Sequence, residues 1–173
     1  MYKYDSTEKV ITLNCNSIIT LKDIDKQLND PQILQEEDMT ASNHDASNND
    51  AKVVWILNAG IIVGNKATLY INNTDTSWLK IVADGKTAHP IEVIGSAKID
   101  SVKITSWNPE TNDYAKTTGD DDAIPRPYIK IAKEATGSTE IINSEIAYLG
   151  YSEEDCSRCS GLGFYGGDGS IWW

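Results

Sequence analysis

The sequence predicts an all-β solenoid, in which the chain winds into coils of short strands that stack on one another. The main observation is a repeat. Residues 95–104 read GSAKIDSVKI and residues 137–146 read GSTEIINSEI, with the glycine, the small polar residues and the final isoleucine at the same offsets. A fainter copy begins at Gly64. Units that recur with strand-like contents are typical of folds built by contact between neighbouring repeats.

A second observation is a short pattern in which a charged residue lies between two apolar ones. It occurs as Leu79-Lys80-Ile81, Ile91-Glu92-Val93, Val102-Lys103-Ile104 and Ile129-Lys130-Ile131. Alternation of this kind predicts strands with one buried face and one face in solvent. Strands this short favour the sheets of a coiled solenoid over those of a sandwich.

A third observation is the spacing of the isoleucines inside the repeat. Ile99 and Ile104 are five residues apart, as are Ile141 and Ile146. In a straight strand the members of such a pair lie on opposite faces. Both can face the core only if the chain turns between them, which predicts a corner near Ser101 and at the matching position of the second copy.

Residues 1–51 are interpreted as an N-terminal cap followed by an acidic loop. Residues 9–21 are rich in β-branched side chains and predict one or two strands. Residues 22–35 have the helical pattern of this region, which Pro31 limits in length. Such a segment can cap the first coil, because terminal repeats need a polar outer face. The rest is rich in Asn, Ser and acidic residues, as solvated loops are.

Residues 52–173 are the predicted coils, with an acidic insert at 108–125. The insert accounts for the 42 residues between the starts of the two clear copies, against 31 between Gly64 and Gly95. Insertions in a solenoid collect on one face and often form the wall of a binding groove.

Within the insert, Asp120, Asp121 and Asp122 offer the carboxylate oxygens that Ca²⁺ prefers. The alternative is an acidic loop that is only solvated. No other cofactor is predicted. A bound cation would also help this chain to meet a polyanion, because its 15 basic and 26 acidic residues give a net charge of −11.

The same charge excludes some partners. A field of this sign repels nucleic acid and anionic membranes, and the chain has only two arginines, so we predict no nucleic-acid partner. No run of 18 or more apolar residues occurs, so no transmembrane segment is predicted.

Cys156 and Cys159 form a CxxC pair with three interpretations: a local disulfide, two reduced thiols, or part of a metal site. A closed zinc site needs four ligands, and the other candidates lie far away in sequence. A disulfide favours an extracellular setting. Asn72 begins an N-glycosylation sequon at a strand end, where an acceptor is expected to be exposed. We therefore predict an extracellular or cell-surface protein.

Four segments occur in a suggestive order: KITSW at residues 103–107, RPYI at 126–129, NSEIAYLGY at 143–151 and SGLGFY at 160–165. Over residues 55–165 the series resembles the mannuronan C5-epimerase-like proteins and related carbohydrate-binding β-helices. The resemblance implies a right-handed parallel β-helix, here of about four coils, with three short sheets per coil and a groove along one sheet face. It also implies a uronate-type polysaccharide such as alginate as the partner.

The activity that the resemblance implies is inversion at C5 of uronic acids within a polysaccharide. That chemistry needs a group to neutralise the carboxylate, a base and an acid. The family's Asp- and His-rich catalytic motif lies downstream of the segment that matches residues 148–151, and no Asp-Pro-His-Asp-like motif occurs in this sequence. The catalytic residues are therefore left unassigned, and the sequence argues against catalysis by this chain alone. The leading hypothesis is a module that binds polysaccharide, either in its own right or as a piece of such an enzyme.

Five residues are candidates for contact with the glycan. An aromatic ring offers a sugar a large apolar face, and a cation can hold a uronate carboxylate. The alternatives are packing for the aromatic residues, and a solvated face or an ion pair for the cations. The candidates are Trp107, Arg126, Lys130, Tyr148 and Tyr151.

The C-terminal residues Ile171, Trp172 and Trp173 predict an apolar edge that pairs with something, either more of the natural chain or a like subunit. The second interpretation gives the alternative function. In it the chain is a structural subunit that assembles through its open ends into a fibre or surface lattice, because head-to-tail contacts need not close.

Overall fold

The computed structural model of this chain describes residues 2–37, 53–116, 125–151 and 160–172. Nearly all of its regular structure is strand, which confirms the all-β prediction. In chain order the elements are β1 (Tyr2–Asp5), β2 (Val10–Leu13), β3 (Ile18–Ile19), α1 (Leu21–Leu28), β4 (Leu34–Glu37), β5 (Val54–Leu57), β6 (Gly60–Val63), β7 (Thr68–Asn72), β8 (Trp78–Val82), β9 (Ile91–Val93), β10 (Ser96–Asp100), β11 (Lys103–Trp107), β12 (Ile129–Ile131), β13 (Ser138–Ile142), β14 (Glu145–Ala147), β15 (Leu162–Phe164) and β16 (Asp168–Trp172).

The described strands form three sheets that the chain visits in rotation. Sheet A has the order β1-β2-β6-β9-β12-β15, sheet B the order β3-β7-β10-β13-β16, and sheet C the order β4-β5-β8-β11-β14. Neighbouring strands are parallel except in the pairs β1–β2 and β4–β5. From β6 onward each set of three strands passes from A to B to C and then returns to A. This is the strand order of a parallel β-helix.

The sequence repeat is also the register of sheet B. Ile99 of β10 pairs with Ile141 of β13, which is the offset of 42 read from the two clear copies. The fainter copy is out of register, because Ile99 pairs with Ile71, 28 positions earlier rather than 31. The reason is local: Gly64 directly follows β6, whereas Gly95 directly precedes β10.

The repeated glycine marks a close approach between successive coils. A Cβ atom added at Gly95 would collide with the carbonyl oxygens of Gly64 and Ala67, and one added at Gly137 would collide with the carbonyl oxygen of Gly95. Only glycine fits where one backbone passes this near to the next.

The predicted corner is present between sheets B and C. Ser101 and Asn143 separate the two strands of their coils and have φ angles of 57° and 47°. These angles lie in the left-handed region, which turns the chain sharply. Ile99 and Ile104, on either side of the corner, are both buried. The Ser101 backbone N–H donates to the Ile142 carbonyl at 2.9 Å, which joins the corners of adjacent coils.

Inward-facing apolar residues stack in rows along the axis and form one core. Each fully buried isoleucine or leucine contributes about 1.5–3 kcal/mol relative to exposure. The rows include Ile11, Ile61, Ile91 and Ile129 on sheet A, Ile71, Ile99 and Ile141 on sheet B, and Trp55, Leu79 and Ile104 on sheet C.

The N-terminal part of the chain covers one end of this core. Helix α1 begins with a capping box, in which the Thr20 hydroxyl accepts from the Asp23 N–H and the Asp23 carboxylate accepts from the Thr20 N–H. It buries Leu21 and Ile24 and ends at Asn29, which has a left-handed conformation. Strands β2 and β3 pair into sheets A and B. The division of the chain near residue 51 stays a prediction. In the described ranges no helix is long and apolar enough to cross a membrane.

Candidate functional site

The outer face of sheet C carries a group of aromatic and lysine side chains that we call the aromatic–lysine cluster. On β8 and β11 the side chains of Leu79, Ile81 and Ile104 face the core, so those between them point outward. The described members of the cluster are Trp78, Lys80, Lys103, Trp107, Tyr114 and Tyr148.

Lys80 lies at the centre of the cluster and is only 5% exposed. Its Nζ is 4.5 Å from the centre of the Trp78 ring and 3.9 Å from that of Trp107. It donates to the Glu37 carboxylate at 2.6 Å. A buried ammonium is tolerated when it is paired, and a desolvated cation–π contact contributes about 2 kcal/mol. This lysine was expected on a solvated face, and the tryptophans that cover it explain why it is not.

The two tryptophans are held in fixed orientations. Their rings meet edge to face, with centroids 5.5 Å apart and planes at 86°. The Trp78 indole N–H donates to the Thr105 hydroxyl at 2.9 Å, and Thr105 is fully buried. Trp107 is 8% exposed, so its ring supports the cluster from below.

The first part of the insert folds back over sheet C. Asn108 and Asp113 form an isolated antiparallel bridge, and the Ser106 hydroxyl donates to the Ala115 carbonyl at 3.3 Å. This return places the Tyr114 ring 6.1 Å from that of Trp107. The described part of the insert therefore supplies an aromatic residue to the cluster. Asp120, Asp121 and Asp122 lie outside the described residues.

The edge of the cluster is open to solvent. Tyr148 is 43% exposed and stacks on Tyr114, with centroids 4.4 Å apart and planes at 13°. The Lys103 Nζ donates to the Tyr114 hydroxyl at 2.9 Å and lies 3.2 Å from the Glu145 carboxylate. The Lys116 Nζ is 5.8 Å from the centre of the Tyr114 ring. The edge thus combines an exposed ring with two ammonium groups.

Both of these ammonium groups are held in the protonated state. The hydrogen bond to Tyr114, together with the hydrogen bond and charge of Glu145, outweighs partial burial and raises the pKa of Lys103. A hydrogen bond to Asp113 raises the pKa of Lys116, and the same contact lowers the pKa of Asp113. The positive charge at this edge is therefore present at neutral pH.

Three other candidates lie on or beside sheet A. The Lys130 Nζ on β12 is 2.6 Å from the Glu92 carboxylate on β9, so this lysine has the ion pair that was one of its alternatives. The Tyr151 ring is 6.4 Å from that of Tyr128. Burial and the nearby Glu92 charge raise the pKa of Tyr128. Arg126 precedes β12, and its Nε is buried without a hydrogen-bond partner among the described residues.

The five glycan candidates therefore fall into two groups. Trp107 and Tyr148 come together in the aromatic–lysine cluster through Tyr114. Lys130, Tyr151 and Arg126 lie on or beside sheet A.

Asn72 differs from expectation in its exposure. It ends β7, its side chain is 5% exposed, and its Oδ1 accepts from the backbone N–H of Thr74 at 2.9 Å and from the Thr74 hydroxyl. Such an amide is a turn element rather than the exposed acceptor that the sequon suggested. Glycosylation at Asn72 stays a prediction.

The remaining candidates are only partly described. Ile171 and Trp172 lie in β16, the outermost described strand of sheet B, which pairs with β13. Trp173, Cys156 and Cys159 lie outside the described residues, so the assembly edge and the disulfide stay predictions. In the described ranges no group of three or more His, Cys, Asp or Glu side chains is arranged to hold a metal ion.

Two central residues of the cluster are not evident from the sequence. Lys80 has the spacing of a solvent-facing residue, although its position two residues after Trp78 does put both on one strand face. Tyr114 has no periodic signal, because its place depends on the insert folding back. Lys103 is easier to locate, since the register sets it beside Trp78 on the next strand.

The fold resembles a solved structure, the crystal structure of the periplasmic alginate epimerase AlgG, with a TM-score of 0.67 and 19% sequence identity. The match covers 88% of this chain and 30% of that protein, so the chain spans under a third of its length. At this identity the likeness shows the fold alone, and it agrees with the parallel β-helix. No protein-family model matches the chain, and none of the curated proteins matches it.

Proposed function

We propose that this chain is a right-handed parallel β-helix module that binds a uronate-type polysaccharide at the open edge of the aromatic–lysine cluster. The observation that carries the proposal is the exposed Tyr148 ring, stacked on Tyr114 beside the Lys103 and Lys116 ammonium groups. The right-handed sense is the rule for crossovers between parallel strands. The likeness to an alginate epimerase supports a uronate polymer as the ligand class.

The two chemical features of this edge match the two features of a uronate. The flat ring of Tyr148 presents apolar surface to the C–H face of a pyranose. Its stacking on Tyr114 limits its motion, so little side-chain entropy is lost on binding. The ammonium groups attract the carboxylate that distinguishes a uronate from a neutral sugar. Trp107, which is nearly buried, acts by supporting these groups.

The net charge of −11 opposes a polyanionic ligand. At physiological ionic strength charges interact over about 8 Å, so the lysines of the cluster dominate over distant acidic residues. We propose that Ca²⁺ further reduces the repulsion by bridging the glycan and exposed carboxylates, with Asp120, Asp121 and Asp122 as the candidate ligands. Binding should then strengthen in Ca²⁺ and return to its starting value in EDTA.

The test is calorimetric titration of the chain with polymannuronate. We expect Tyr148→Ala to weaken binding about tenfold, or 1.4 kcal/mol, as loss of an aromatic anchor does. The matched control is Tyr70→Ala on sheet B, whose ring also lies near a lysine, with the Lys98 Nζ at 5.8 Å. Equal losses in the two variants, or none in either, would overturn the proposed site.

Arg126, Lys130 and Tyr151 are proposed as a second, separate contact area on the sheet A side. Lys130 already has a carboxylate partner in Glu92 at 2.6 Å. A glycan carboxylate would have to displace that partner, so we expect Lys130→Gln to weaken binding less than Tyr148→Ala does.

The chain is alternatively a piece of a C5-epimerase-like enzyme, for which we assign no catalytic residue. Incubation with polymannuronate in deuterated water checks this by NMR, because epimerisation exchanges the C5 proton. Absence of exchange, with and without Ca²⁺, would leave binding as the role of this chain.

We also propose an extracellular or cell-surface location, in keeping with a polysaccharide partner. The alternative function, assembly through the β-helix ends around Ile171, Trp172 and Trp173, predicts a size in solution that grows with concentration. A strict monomer at high concentration would rule it out.

A further inference from the structure

We infer that Lys103 is the carboxylate-binding group of the open edge and that Glu145 occupies it in the free protein as an internal competitor. The inference rests on the proposed function and adds the residue that tunes affinity and selectivity at that surface.

Two lysine–glutamate pairs on the outer face of sheet C differ in their access to solvent. The Lys80–Glu37 distance is 2.6 Å, and the lysine side chain is 6% exposed. The Lys103–Glu145 distance is 3.2 Å, and the two side chains are 28% and 57% exposed. A ligand cannot reach the first ammonium beneath its tryptophans, whereas the second lies at the surface.

Glu145 can leave Lys103 at little cost. The two residues are direct partners in the register of β11 and β14, so their side chains are neighbours on the outer face. The glutamate carboxylate is more than half exposed and can turn into water, and exposed ion pairs of this kind are weak. Lys103 keeps its 2.9 Å hydrogen bond to the Tyr114 hydroxyl when Glu145 departs, so its ammonium stays in place.

The carboxylate that takes the place of Glu145 is that of a uronate sugar bound at the proposed site. Lys103 is bonded to Tyr114, and Tyr148 stacks on the ring of that same tyrosine at 4.4 Å. A uronate on Tyr148 can therefore offer its own carboxylate to Lys103 and restore the ion pair that it breaks. A neutral sugar restores nothing, so the exchange selects for uronates.

The experiment compares Glu145→Gln with Glu140→Gln in calorimetric titrations with polymannuronate. Glu140 is a matched control, because it pairs with Lys98 on sheet B at 3.7 Å, is 44% exposed and gives the same change in charge. We expect Glu145→Gln to bind about two- to fivefold more tightly, which is the range for removal of an exposed ion pair. We expect Glu140→Gln to change the affinity little. We expect Lys103→Gln to lose most of the binding, and Glu145→Gln to give no gain in a chain that lacks Lys103.

The outcomes separate this inference from the proposed function. If the wild type binds and Tyr148→Ala does not, but Glu145→Gln and Glu140→Gln behave alike, the site stands and the competitor role of Glu145 is wrong. Weaker binding by Glu145→Gln has the same meaning, since Glu145 would then hold the ligand itself. If neither the wild type nor Glu145→Gln binds, both proposals fall. Thermal unfolding of each variant confirms that it is folded.

Discussion

The outer faces of sheets B and C are built on strands of the same repeat, yet among the described residues only sheet C carries an aromatic–lysine cluster. Sheet B presents Tyr70, Lys98 and Glu140 side by side on adjacent strands, with the lysine 5.8 Å from the ring and 3.7 Å from the carboxylate. Sheet C presents the same residue types, but there the insert returns across the face and brings Tyr114 onto Trp107. The difference teaches that the inward residues define the coil, while a break in the repeat can bring further side chains onto one outer face.

The largest test of this comparison removes the base of the cluster. Trp107→Ala should lower the free energy of unfolding by about 3 kcal/mol, because it leaves a cavity and uncovers Lys80. Tyr70→Ala on sheet B should cost about 1 kcal/mol or less, since that residue is partly exposed. Urea unfolding measures both. Similar losses would mean that the two faces contribute alike to stability.

The next test breaks the buried ion pair. Glu37→Ala leaves the Lys80 ammonium without its carboxylate, and we expect a loss of about 2 kcal/mol, reduced from the fully buried case because Glu37 is partly exposed. Glu140→Ala breaks the exposed pair on sheet B and should cost less than about 0.5 kcal/mol. The same unfolding assay decides. A small loss for Glu37→Ala would show that the tryptophans alone stabilise Lys80.

The smallest expected effect is a pH dependence of the free energy of unfolding, and it arises in the connection from β8 of sheet C to β9 of sheet A. His89, between β8 and β9, is 1% exposed, and its Nε2 has no hydrogen-bond partner in the described ranges. Burial is the largest influence on the pKa of His89 and lowers it. The charge of Asp84 opposes this shift, whereas the charge of Lys9 adds to it, and the pKa remains below its usual value. The unfolded imidazole takes up a proton below about pH 6.5 while the folded one resists, so stability should fall as pH drops through that range and stay constant above it.

The loss between pH 7 and pH 5.5 is at most about 1.2 kcal/mol, the limit reached when the folded imidazole takes up no proton in this range. His89→Gln should lose less over the same interval, because the group that titrates is gone. The lysines of the open edge keep their charge at both values, so glycan affinity should change little. An equal pH dependence in the variant and the wild type would assign the effect to other groups.

Much of the fold follows from local pattern. The offset of 42 and the five-residue spacing of Ile99 and Ile104 predicted the register and the corner, because both reflect which side chains face the core. The offset of 31 between Gly64 and Gly95 did not match the strand register, in which Ile99 pairs with Ile71. The reason is also local, since loop length differs between coils and a glycine can lie at either end of a loop.

The site follows much less from the sequence. Tyr148 and Trp107 were identified as aromatic candidates, but nothing in the spacing shows that Tyr114 joins them. That contact depends on the return of residues 108–116 over sheet C, which is a tertiary event. The burial of Lys80 depends on tertiary contacts as well, because the rings of Trp78 and Trp107 on two adjacent strands cover a residue that alternates like a surface lysine.

Because the coils stack in register, side chains on the outer face of sheet C are spaced at regular intervals along the axis. Successive strands are about 4.8 Å apart, so Trp78, Lys103 and Glu145, which share one row, mark equal steps along the axis. Duplication or deletion of a whole coil would shift the side chains of this row along the axis by one full strand spacing. The length of this surface can thus change by whole coils, while the side chains at each step are kept.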